Sequence, residues 1–182
     1  MKTLVIHPED KSTDFLSSIY ENIPNLTLIK GGVDKHKVIN LIKENDRIIM
    51  MGHGCQYGLL SMGNFKGSEL IIDNKSVPFL KRKVNNIFIW CNADQFIDYF
   101  DLKGFYTGMF ISEIEEAMDC GIEFENCNKI KVEESNNMFV EILKKHINDD
   151  AKSIYDNVNK EYRLIAEKNP IALYNYNRLY YK

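Results

Sequence analysis

Residues 86–94 read NIFIWCNAD and residues 46–58 read DRIIMMGHGCQYG. Each contains a short, almost purely apolar run of the length and composition of a strand buried on both faces. Each run stops abruptly at a chemically capable residue, His53 followed by Gly54 in one and Cys91 in the other. A buried strand holds the residue at its end rigidly, so a thiol and an imidazole at two strand ends have the makings of a nucleophile and its base.

The stretches upstream set these strands in an alternating pattern. Residues 3–7 (TLVIH) form a β-branched apolar run stopped by Pro8, and residues 12–23 carry Phe15, Leu16, Ile19 and Tyr20 at helical spacing. Residues 26–29 read as a second strand. A helix capped by Asp34 comes next, with Val38, Ile39, Leu41 and Ile42 on its inner side, and it leads into the strand at 47–51. Strand–helix–strand–helix–strand with short connections predicts an α/β fold with a mostly parallel sheet covered by helices. In such sheets ligands bind outside the carboxyl ends of the strands, where His53 and Cys91 fall. Beyond His53 the glycines at 54, 58, 63 and 67 punctuate a loop region, with residues 58–60 and 69–72 as short hairpin strands. A short helix runs through Leu80, a fourth strand spans 87–90, a helix 93–102 and a fifth strand 105–111. Ser112 and Glu115 have capping-box spacing for a helix ending at Gly121. From about Glu133 the strands are expected to stop, leaving a helical C-terminal third that packs on the sheet or covers the site. One domain is expected, with a sheet-containing core over 1–120 and a helical extension over 133–182.

Composition narrows the function classes. The chain has 182 residues, 45% of them apolar and 27% charged, with a net charge of −3. It is long enough for a real core, and nothing in the charge points to a nucleic-acid partner. No apolar run approaches the roughly 18 residues of a membrane helix, and the apolar stretch before His7 is too short for a signal-peptide core. A cytoplasmic protein with no membrane partner is therefore expected. The four cysteines at 55, 91, 120 and 127 form no CxxC pair and no zinc-type spacing, so free thiols and no metal or cofactor are expected.

An apolar strand ending in His-Gly, here IIMMGHG at 48–54, followed some forty residues later by one ending in Cys, here IFIWC at 87–91, resembles the caspase-like cysteine peptidases. That group includes caspases, metacaspases, gingipains, clostripain and separase-type domains. The resemblance covers roughly residues 1–120. It implies a three-layer α/β/α domain that hydrolyses peptide bonds in a peptide or protein substrate. His53 is then the base, Cys91 the nucleophile, and the amides of Gly54 and Cys91 the oxyanion hole. A helix starting just after Cys91 would favour its thiolate. Specificity in this group comes largely from the pocket for the residue before the scissile bond. Asp94, three residues past Cys91, and six acids between 113 and 125 suggest a preference for Lys or Arg there. Other readings stand beside these: Cys91 as an inert core thiol, Cys55 as a rival nucleophile, and the acidic run as a solvated helix face. The glycines of 52–58 also fit a nucleotide-binding loop, with one residue too many for GxGxxG. A caspase-like domain without catalysis, acting as a binding or regulatory module, is the alternative to a peptidase, and a small amide or ester hydrolase a third reading.

Overall fold

The computed structural model describes residues 1–67 and 69–182. Its centre is a six-stranded sheet built from β1 (Thr3–Ile6), β2 (Leu26–Ile29), β3 (Arg47–Met51), β7 (Asn86–Ile89), β8 (Gly104–Thr107) and β9 (Leu179–Tyr181). The strand order is β2-β1-β3-β7-β8-β9. The first five are parallel, and β9 closes the edge antiparallel to β8. A small antiparallel sheet of β4 (Gly54–Cys55), β5 (Gly58–Leu60) and β6 (Leu70–Ile72) grows directly out of the end of β3.

Past their first residues (Thr3, Arg47 and Asn86), β1, β3 and β7 are apolar throughout because both faces are covered. Alternate side chains serve opposite layers. On one face Val5, Ile49, Met51, Ile87 and Ile89 meet the 3₁₀ helix Asp14–Tyr20, α5 (Lys129–His146) and α6 (Ala151–Ala166). On the other, Leu4, Ile6, Ile48, Met50, Phe88 and Trp90 meet α1 (Lys35–Glu44), α2 (Val77–Leu80) and α3 (Ala93–Phe100). The result is the expected three-layer α/β/α arrangement. The remaining helices are α4 (Ile114–Asp119) and α7 (Pro170–Tyr176). Asp34 caps α1 by accepting from the Lys37 amide, as its position suggests.

Three sequence expectations are corrected. The strands do not stop near Glu133. After α7, Leu179–Tyr181 returns to pair with β8, and Tyr180 stacks on Tyr106 at 5.5 Å. Among tyrosines at helical spacing this three-residue strand has no local signature; it exists because the edge of β8 needs hydrogen-bond partners. The fifth strand ends at Thr107 rather than Ile111, since Gly108 turns the chain and donates its amide to Arg178 O at 2.8 Å. The capping box sits one residue later than expected. A Glu116 carboxylate oxygen accepts from the amides of Ser112 and Glu113 at 2.7 and 3.1 Å.

His7 comes directly after β1 and is 1% exposed. Its ring nitrogens meet Tyr20 Oη at 3.1 Å and Thr13 Oγ1 at 3.2 Å. Burial, reinforced by Lys30, pushes its pKa from 6.5 down to about 4. The folded protein therefore resists a proton that the unfolded chain accepts. The stabilisation is complete above pH 6.5 and is lost as pH falls towards about 4. A shift of this size corresponds to ~3 kcal/mol. Urea titrations of wild type and His7→Gln across that range are expected to show a flatter pH dependence in the variant.

The hairpin is locked to the main sheet by Trp90, 2% exposed, whose Nε1 donates to Cys55 O at 3.2 Å. Gly54 lies directly over the indole, and a Cβ there would collide with the ring and with Gly58 O. Gly54→Ala is accordingly expected to cost about 1–3 kcal/mol of stability in urea unfolding.

Candidate active site

Strands β3 and β7 are hydrogen-bonded neighbours, with Met51 opposite Ile89. Because they are parallel, both end at the same edge of the sheet, and the Gly52 amide still donates to Ile89 O at 3.0 Å. His53 lies just past the end of one strand and Cys91 just past the end of the other. Both line one narrow cleft of about 30 Å³, shared with Thr13, Leu16, Phe110 and Ser112. The structure thus brings together the histidine and the cysteine that the sequence singled out, with residues of the 3₁₀ segment and of the loop after β8 forming the opposite wall.

His53 is held from outside by the loop after β1. Its Nε2 lies 2.5 Å from Ser12 Oγ and 3.6 Å from Asp10 Oδ1. Ser12 donates its hydroxyl to Asp10 Oδ1 at 2.6 Å and its amide to the same oxygen at 2.9 Å. A hydroxyl has a single proton. With that proton on Asp10, Ser12 Oγ accepts from an Nε2–H of His53, which leaves Nδ1 outside this chain of hydrogen bonds. These hydrogen bonds, those from Ser12 first, hold the Asp10 carboxyl below its usual range. Asp10 and Ser12 escaped the sequence reading. They lie in a polar turn with no spacing relation to His53, and only the β1–β3 pairing brings them to it.

Cys91 sits between the end of β7 and α3. The turn is sharp: Asn92 takes a left-handed conformation at φ 64°, one that Asn tolerates better than most residues. The thiol is directed at Phe110 O, 3.7 Å away. Burial, offset in part by that hydrogen bond, pushes its pKa up to about 11. The start of α3 does not hold it down, so at neutral pH Cys91 rests as a thiol, contrary to the expectation from the helix N-terminus.

The side chains of the other sequence candidates lie outside this cleft. Gly54 pairs with Leu59 and gives space to Trp90. Cys55 lies on the hairpin and does not line the cleft, nor does Asp94. The Asp94 carboxylate instead rests against Gly108, with Oδ1 buried and without a hydrogen-bond partner. Burial raises its pKa, offset in part by the Gln95 amide and its own amide at the start of α3. Of the acids between 113 and 125, Glu116 is used in capping, and Glu113, Glu115, Asp119, Glu123 and Glu125 are exposed. Glycines 52–58 lead into β4 and β5 rather than a helix, which removes the nucleotide-loop reading. Among the described residues, no three His, Cys, Asp or Glu side chains converge as a metal-ligand set, and no helix is long and apolar enough to cross a membrane.

Comparison with known proteins finds no family model and no curated protein that matches this chain.

Proposed function

We propose that this chain is a caspase-like cysteine peptidase acting through Cys91 and His53. The observation that carries the reading is that these two residues, at the carboxyl ends of adjacent parallel strands, line one cleft. The Asp10–Ser12–His53 chain of hydrogen bonds supports it, because it fixes the Nε2 side of the ring and leaves Nδ1 outside the chain. A thiol with a raised pKa favours concerted base catalysis over a standing ion pair. Cys91 Sγ attacks the peptide carbonyl carbon as its proton passes to His53. The amides of Gly54 and Cys91 are the proposed donors to the tetrahedral oxyanion. As the C–N bond breaks, His53 returns the proton to the leaving amine. Water then cleaves the thioester, with His53 as base, and restores the thiol.

Two observations favour a second reading, a caspase-like binding or regulatory module without catalysis. The thiol is protonated at rest and occupied with Phe110 O, and the cleft is narrow.

Thiol chemistry separates the two readings. Iodoacetamide is expected to label Cys91 slowly at pH 7, the rate rising about tenfold per pH unit towards the raised pKa, since only the thiolate reacts. A peptidyl acyloxymethyl ketone bearing Lys is expected to label Cys91 at pH 7 about a hundredfold faster in wild type than in His53→Ala. Labelling by the peptidyl reagent that is slow, or indifferent to His53, turns the assignment to the binding module.

A further inference from the structure

Beyond the Cys91–His53 cleft, a larger cavity of about 460 Å³ opens between the β4–β5 turn, the end of β6 and the outer face of α3. Its size falls in the range of about 300–1,000 Å³ typical of ligand sites. Two of its walls are tyrosines that the fold leaves in water, Tyr57 at 66% and Tyr99 at 82% exposure. The wall behind Tyr99 is firm. Tyr99 stands edge-on to Phe100 at 4.7 Å, Phe100 to Phe96 at 5.0 Å, and Phe96 to Trp90 at 5.8 Å. The hydrogen bond from Trp90 to Cys55 O ties the hairpin wall to the same aromatic stack. The cavity is therefore shaped before anything enters it, which reduces the ordering cost of binding.

The chemistry of the lining is specific. Asp73, the one charged residue among the described lining residues, is paired with Lys35, so the cavity offers no free charge to an anion or a cation. Gln56 and Gln95 contribute side-chain amides at the rim, suited to the amide groups of a peptide backbone. Rings with an exposed face and edge beside neutral amides match a flat, uncharged aromatic group. The position matches a peptide. Gln56 comes three residues after His53 and Gln95 four residues after Cys91. Helix α3 starts two residues past Cys91, and at 1.5 Å per helical residue Gln95 and Tyr99 stand roughly 3 and 9 Å along it from Ala93, a span of about one to three extended peptide residues.

We propose that this cavity binds an aromatic side chain of the peptide that occupies the Cys91–His53 site, a few residues from the scissile bond. The proposal rests on the peptide reading of that site, and its test is arranged so that the two fail separately. Cys91→Ala protein, which performs no turnover, is titrated with N-acetyl-phenylalaninamide and N-acetyl-alaninamide while backbone amide chemical shifts are followed. Saturable shifts are expected at Tyr57, Gln95 and Tyr99, with the phenylalanine compound binding at least about fivefold more tightly than the alanine compound. Adding Tyr99→Ala is expected to weaken binding by a similar factor with no change in the urea midpoint, since Tyr99 is exposed. Absence of saturable shifts at these residues, equal affinity for the two compounds, or an unchanged affinity in Tyr99→Ala overturns the proposal. Binding there in a protein whose wild type cleaves no peptide keeps the aromatic site and removes the peptidase.

Discussion

The parallel pairing of β3 and β7 is the constraint on which the rest of the structure depends. With Ile49, Met50 and Met51 in register with Ile87, Phe88 and Ile89, the strands finish together, and the residues just past their ends, His53 and Cys91 among them, come to one edge. A one-residue slip would exchange the two faces of β7 and move Trp90 out of its layer. The packing of Trp90 guards against that slip. Its ring lies among Phe88, Phe96 and the hairpin, and it fits only because residue 54 has no side chain. The glycine after the histidine thus has a packing role that stands independently of any role in binding an oxyanion.

Around that pairing, polar groups at the sheet edge are held by side chains from other parts of the chain. Asp10 and Ser12 orient His53, and Thr107 donates to Trp90 O at 3.1 Å. The buried Asn175 accepts from the Ile111 amide at 2.7 Å and donates to Ile111 O at 2.9 Å. Asn175 lies on α7 and so couples the C-terminal helices to the loop that carries Phe110, the acceptor of the Cys91 thiol. The helical third is part of how the cleft is shaped, as well as a layer over the sheet. The same enclosure that fixes the cleft desolvates Cys91 and raises its pKa. Rigidity and a protonated resting thiol therefore have one cause.

The buried Arg47 shows the same economy at the opposite edge. It lies at the start of β3, 1% exposed, and donates to Ile147 O at 2.6 Å and to Asn85 O at 3.2 Å. A guanidinium in this place satisfies backbone carbonyls where the α5–α6 connection crosses the amino ends of the strands. Desolvation lowers its pKa to about 10, which leaves it charged at neutral pH.

The sequence alone determined the layer architecture, because strands covered on both faces must be apolar throughout and helices must show apolar residues at a period near 3.6. The apolar runs 48–51 and 87–90 and the helices around Val38, Phe139 and Val158 met those requirements with local information only. It also determined the pairing of His53 with Cys91 in one cleft, since parallel strands of an α/β sheet send their carboxyl ends to the same edge. Only the tertiary structure decided what surrounds them. The link from Asp10 through Ser12 to His53, the turning of Cys91 towards Phe110, the separation of Asp94 from the cleft and the return of Leu179–Tyr181 to the sheet are all long-range contacts. They depend on which distant backbone happens to need a partner, and a hydrogen bond between residues 41 positions apart leaves no periodicity in the chain to read.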